Sequence, residues 1–190
     1  MQADRYMYGQ GVPQDRGKAA VVYEEACAAG IKDACAELTE ILYWGHPSVP
    51  KDSKRAIKLM RSLFSYLEQG CEQKEPRACL RLGAAYADGI GKKQDLARAA
   101  DLDQQACDGG FLEGCFYLGV AFAKGKGVKV EPAKAAEMYT KACDGGYAVA
   151  CARLGELYAT GSGVSKSPDQ SLALRKRACE LGYMRSCPGG

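Results

Sequence analysis

Small and apolar residues recur along this chain in a fixed order. Leu82-Gly83, Leu118-Gly119 and Leu154-Gly155 each lie midway along a stretch with helical spacing, and an aromatic follows three positions after each glycine, at Tyr86, Phe122 and Tyr158. A polar, glycine-rich break comes next: Gly89-Ile90-Gly91, Gly125-Lys126-Gly127-Val128 and Gly161-Ser162-Gly163-Val164. A second stretch then carries Ala99/Ala100, Ala135/Ala136 and Ser171/Leu172 and runs on through Ala106, Ala142 or Ala178. Each unit therefore predicts two helices, and a period of this length built from two helices marks a solenoid. A glycine in mid-helix costs about 1 kcal/mol relative to alanine. Its recurrence at one spacing predicts a close helix–helix contact, with the alanines of the second helix as partners and the leucines and aromatics filling the space beside them.

The pattern divides residues 1–190 into one repeat domain of about ten helices. It comprises a partial first repeat (1–31), a longer second repeat (32–75), regular repeats (76–111, 112–147, 148–183) and the start of another (184–190). Tyr6, Gly9, Gly11, Val12, Pro13 and Asp15 match the end of a first helix, a loop and the start of a second, so the chain enters mid-unit. Cys187 is expected to open a further helix that Pro188-Gly189-Gly190 stops, and both ends read as cuts through a longer array. The second repeat has about seven extra residues in the helix 52–70 and one in the loop before it. Seven residues are close to two turns, so the apolar face is not rotated.

All ten cysteines fall into pairs eight residues apart: Cys27/Cys35, Cys71/Cys79, Cys107/Cys115, Cys143/Cys151 and Cys179/Cys187. Eight residues of one straight helix span about 12 Å, too far for a disulfide, so bridging requires the chain to reverse between the sulfurs. Gly30, Gly110, Gly146 and Gly182, three positions after the first cysteine, suit a helix C-cap there. Each pair thus reads as a clamp across a helix–turn–helix corner, worth about 2–3 kcal/mol by loop entropy. Five pairs of buried free thiols are the alternative. Zinc is disfavoured, because its ligands cluster at shorter spacings and His46 is the one histidine.

Composition narrows the field further. The 26 basic and 23 acidic residues nearly cancel, at a formal +3, which is no nucleic-acid signature. No run of about 18 apolar residues exists to span a membrane. Paired cysteines on this scale belong to an oxidising compartment, periplasmic or secreted. Met1-Gln2-Ala3-Asp4-Arg5 carries no apolar segment behind it, so the export signal is expected to lie outside this sequence.

The Tyr-x-x-Gly-x-Gly-Val-Pro-Gln-Asp of residues 6–15 and the Leu-Gly…Tyr…Gly-x-Gly-Val of residues 154–164 resemble Sel-one-like repeats, relatives of the tetratricopeptide repeat. The paired cysteines make the chain similar to the cysteine-rich, secreted bacterial branch of that family. The resemblance implies an all-α, right-handed solenoid whose first helices line a concave face, and a role in protein–protein contact. Members include scaffolds, host-interaction proteins and immunity proteins that neutralise phospholipase effectors of type VI secretion. Some cysteine-rich relatives are associated with β-lactam binding.

Candidate chemistry is sparse. His46 has no partner of metal-ligand or triad type nearby in sequence. Ser48-Val49-Pro50-Lys51 reads as Ser-x-x-Lys, but Pro47 and Pro50 oppose the helical turn such a nucleophile needs. The Gly-x-Gly loops follow helices rather than strands and read as structural turns, not nucleotide sites. Neither catalytic residue, cofactor nor metal site is assigned. Lys51, Lys92, Lys93, Lys124, Lys126, Lys129 and Lys166 gather at the loops after first helices, as ordinary solvation or as a basic edge for an acidic partner or anionic lipid. First-helix positions beside the core pattern vary between units: Glu37 and Glu40, Arg81 and Ala84, Tyr117 and Val120, Arg153 and Glu156. Arg81, Tyr117 and Arg153 are of the types enriched in binding hot spots and are the expected anchors. The expectation is a non-enzymatic module binding a protein on its concave face, with Lys124 and Lys126 guiding approach. An immunity protein against a secreted phospholipase and a β-lactam-binding or cell-wall enzyme are the alternatives.

Overall fold

A computed structural model describes residues 2–8 and 15–187. The expected loop at Gly9, Gly11, Val12 and Pro13 and the terminal Pro188-Gly189-Gly190 lie outside them. The described residues form ten α-helices: α1 (Gln2–Tyr8), α2 (Arg16–Ala28), α3 (Lys32–Trp44), α4 (Ser53–Glu72), α5 (Pro76–Asp88), α6 (Leu96–Asp108), α7 (Leu112–Lys124), α8 (Pro132–Asp144), α9 (Ala148–Thr160) and α10 (Pro168–Glu180). A single 3-10 turn, Met184–Ser186, follows. Helix α4 has 20 residues where α6, α8 and α10 have 13, so the extra seven of the second repeat lie in this helix.

Each clamp belongs to the same corner. The backbone N–H of Gly146 donates to Cys143 O (2.9 Å) and that of Tyr147 to Ala142 O (2.9 Å), the paired bonds of a Schellman ending. The same two bonds recur after α2, α6 and α10. Gly146 has φ +95°, a left-handed value that favours glycine. After α4 that place is taken by Lys74 at φ 62°, the one non-glycine with positive φ among the described residues. The reversal brings the cysteine Cα atoms within 4.5–4.9 Å, and all five pairs are disulfides: Cys27–Cys35, Cys71–Cys79, Cys107–Cys115, Cys143–Cys151 and Cys179–Cys187. The alternative of free thiols is thereby overturned.

The second cysteines refine the picture of a corner clamp. Cys35, Cys79, Cys115 and Cys151 do not sit in the turn; each is the fourth residue of the following helix, α3, α5, α7 or α9. All four are buried, so these disulfides fill the core as well as closing the corner. The Sγ atoms of Cys35, Cys79, Cys115 and Cys151 lie 3.6–3.7 Å from the carbonyl oxygens of Cys27, Cys71, Cys107 and Cys143. A disulfide sulfur carries no proton to donate, so these are packing contacts and not thiol hydrogen bonds. Cys187 departs from expectation altogether: it lies just beyond the 3-10 turn and does not open an α-helix.

The other connection is equally regular. The N–H of the residue capping each second helix donates to the carbonyl of the recurring aromatic position: Asp95 to Tyr86 O, Glu131 to Phe122 O, Ser167 to Tyr158 O. Asp15, Asp52, Asp95 and Ser167 then accept from a backbone N–H in the first turn, at 2.9–3.3 Å. The Gly-x-Gly loops are structural turns. At Gly127 a Cβ would stand 2.0 Å from Leu96 O, so this loop presses on the start of the preceding second helix.

Contacts divide the chain into two compact units: Met1–Gln69 with Asp88–Gln94, and Gly70–Ala87 with Asp95–Gly190. In the first, α1 packs on α2 and α2 on α3 around Tyr23, Leu38, Ile41 and Leu42. In the second, α6 through α10 pack each on the next. Here Leu82, Leu118 and Leu154 are buried, as are Ala99/Ala100 and Ala135/Ala136. The last repeat differs: Ser171 is buried, but Leu172 is 66% exposed; α10 packs mainly on α9 and the 3-10 turn. Consecutive helix pairs, each closed by a disulfide, make this an α-solenoid. No described helix is long and apolar enough to cross a membrane.

Candidate protein-binding face

The mid-helix glycines position the site. A Cβ on Gly119 of α7 would stand 2.6 Å from the ring of Tyr139 in α8. On Gly83 of α5 it would stand 3.0 Å from Asp103 Oδ1 and 3.3 Å from Leu102 Cβ in α6. The contact expected of these glycines is present: a Cβ on Gly83 would also stand 3.4 Å from Ala99 O, and one on Gly155 would stand 3.2 Å from Ser171 O. Beside these small residues each glycine also meets the side chain four residues before the first cysteine of the second helix, Asp103, Tyr139 or Arg175, and at Gly119 Tyr139 is the partner. With that side of each first helix committed to packing, another side is left to solvent.

Arg81 on α5, Tyr117 on α7 and Arg153 on α9 stand on that other side. Each lies two residues after the buried second cysteine of its helix, Cys79, Cys115 or Cys151, so the disulfide fixes the turn that carries it. Tyr117 is 43% exposed, with its ring 5.3 Å from that of buried Phe116. Phe116 in turn contacts the rings of Tyr139 and Tyr147, at 5.9 and 5.2 Å, so an aromatic cluster anchors the exposed tyrosine. The Arg153 Nη1 donates to both oxygens of Glu156, at 3.2 and 2.9 Å, and this bond raises the guanidinium pKa. Arg81 is half-buried. Glu37, expected to project like them, is only 4% exposed. Helix α3 is buried over Ala34–Thr39, so Glu37 offers no exposed side chain there.

Asp103 and Tyr139 lie between successive first helices. Burial pushes the Tyr139 phenol up to about 12, against the neighbouring Arg153 charge. Burial, then the Glu113 charge, pushes the Asp103 carboxyl up to about 7. Asp103 is not among the positions that the repeat pattern singles out. Aligning the units at their cysteines exposes it: the equivalent residues are Tyr23, Leu67, Tyr139 and Arg175, and Asp103 is the one carboxylate.

Lys124 ends α7, and Lys126 follows in the loop that Gly127 seats against Leu96; both are exposed. Lys129 and Lys166 of the same unit are exposed too. In the other unit Lys92 bonds Glu68 at 2.8 Å and lies 4.4 Å from the Phe64 ring centre, while Lys51 lies over Tyr43. Ser48 lies in the turn closed by His46 and Val49 and Lys51 just beyond it, neither in a helix, and the His46 Nδ1 accepts from Ser48 N at 3.3 Å. Among the described residues, no three side chains of metal-ligand type converge.

The comparisons with known proteins agree with this architecture. Solved structures that resemble it include a Sel1 repeat protein from Oxalobacter formigenes (23% identity, 97% of this chain and 70% of that one, TM-score 0.67). The cysteine rich protein B of Helicobacter pylori is 29% identical over 70% of this chain and 94% of that one, with TM-score 0.54. The immunity protein Pa5087 from Pseudomonas aeruginosa is 20% identical over 97% of this chain and 68% of that one, with TM-score 0.61. Among curated proteins nothing matches. The model of the Sel1 repeat matches residues 3–31, 32–63, 76–111, 112–147 and 148–183, stopping short in the second repeat where α4 is lengthened, and on this match the chain belongs to the Sel1 repeat family.

Proposed function

We propose that this protein is a non-enzymatic binding module of an oxidising compartment, periplasmic or extracellular, that holds a protein segment against helices α5, α7 and α9. The observation that carries the reading is one side-chain position at three successive first helices. It changes from Arg81 to Tyr117 to Arg153 while the residues around it repeat. Side chains at equivalent places in a repeat array build a continuous surface, and specificity comes from the places that vary. Tyr117, half-exposed above a packed aromatic cluster, has the character of an interface anchor. Lys124 at the end of α7 and Lys126 on the loop after it, held by close backbone packing, favour an acidic approach surface. Five disulfides support the compartment.

An immunity function is a second reading, favoured by the likeness to the Pseudomonas immunity protein. Its partner would be a secreted effector, a phospholipase by the family resemblance. The test is capture on the immobilised protein from the secreted and periplasmic fractions, then titration of the purified partner. Tyr117→Ala or Arg153→Ala should weaken binding by about 2 kcal/mol or more, mainly through faster dissociation. Lys124→Glu with Lys126→Glu should slow association and weaken its salt dependence. Full affinity in all of these variants would overturn the reading, and a phospholipase inhibited on binding would select the immunity function.

A further inference from the structure

Asp103 lies 9% exposed between α5 and α7, and among the described residues no hydrogen bond or ion pair reaches its carboxylate. Its Oδ1 sits over the bare Gly83 of α5, while its backbone carbonyl lies against Gly114 of α7, 3.0 Å from where a Cβ would stand. Glu113, in the first turn of α7, adds a second negative charge beside it. A carboxylate withdrawn from most of its water without a partner is unfavourable, and the Asp103 oxygens keep only a small contact with solvent. Packing does not demand one, because Leu67 and Tyr139 occupy the equivalent place in neighbouring repeats, both buried. Groups that weaken a fold concentrate where something binds.

The surroundings define what would relieve the charge. Tyr117 stands one turn after Glu113 on α7 and is half-exposed. Two carboxylates fall short of a metal site, and no group of three forms among the described residues. A guanidinium brings donors in a planar fork that matches a carboxylate and stacks on an aromatic. We propose that Asp103, with Glu113 beside it, is the acceptor for an arginine side chain of a protein partner lying between α5 and α7, an assignment that rests on the binding-face reading above.

The test uses the intact protein labelled with carbon-13, titrated with N-acetyl-arginine amide and with its neutral isostere N-acetyl-citrulline amide. The arginine probe should bind saturably, perturb Asp103, Glu113 and Tyr117, and lower the Asp103 titration midpoint. The citrulline probe and the Asp103→Asn variant should each show about tenfold weaker binding, the loss expected of one charge-assisted pair. Equal binding of both probes, or saturation by arginine with the Asp103 carboxyl unmoved, overturns the assignment. The carboxyl signal is read in the unaltered protein, so the result stands whether or not the variant folds. With a captured partner the two claims separate. If Tyr117→Ala weakens binding and Asp103→Asn does not, the Asp103 assignment alone falls. If neither weakens it, the binding face falls as well.

Discussion

A methyl group at Gly119 would meet the buried Tyr139 ring at 2.6 Å, closer than carbon atoms approach without displacement. Helix propensity alone would reward Gly119→Ala by about 1 kcal/mol. Overpacking opposes it and should win, leaving the variant about 1–3 kcal/mol less stable in denaturant unfolding. Asp103 makes the opposite case, a native residue that weakens the fold. Its carboxyl titrates near 7 in the folded protein, against an ordinary 3.8. An unfolded chain therefore loses this proton first, so the group's effect is absent below about pH 4 and destabilises increasingly as pH rises toward 7. At about 1.4 kcal/mol per unit, the loss is on the order of 4 kcal/mol at most. Asp103→Asn should thus stabilise the protein at pH 8 and do so far less at pH 4.5. Unfolding curves at the two pH values check this, and an equal gain at both would show that the Asp103 carboxyl titrates alike in the folded and unfolded chain.

At the scale of the element, the corner is where sequence and structure agree most closely. A cysteine pair at fixed separation, a glycine three places after the first sulfur and an alanine before it are all local signals, so spacing alone reaches them. Spacing did not reach the burial of Cys35, Cys79 and Cys115, which depends on the helices packed over them. The corner after α4 keeps the disulfide but lacks the glycine, with Lys74 held at φ 62°. Lys74→Gly should relieve that strain and raise stability by about 1 kcal/mol, seen as a higher thermal midpoint. Removing one clamp by Cys143→Ser with Cys151→Ser should lower stability by about 2–3 kcal/mol. Both changes are read by calorimetry under oxidising conditions. Glu37 and Leu172 were not legible either, for the same reason. Whether a helix face is covered is set by contacts distant in sequence.

For the whole molecule, the repeat determines the architecture and leaves function to the positions it does not constrain. The period, the lengthened α4 and the family likeness were readable because each is a spacing. The candidate face was readable only in part. Arg81, Tyr117 and Arg153 stand out as variable positions, and Asp103 does once the units are aligned at their cysteines, but its burial depends on Gly83 and Gly114 bringing α5 and α7 to either side of it. The claim that a partner lies on the first helices is tested most directly by hydrogen–deuterium exchange of the protein alone and with its captured partner. Binding should slow exchange in α5, α7 and α9 around Arg81, Tyr117 and Arg153 and leave the exposed side of α8 around Glu137 unchanged. Slowed exchange confined to α6, α8 and α10, with the first helices unaffected, would contradict it.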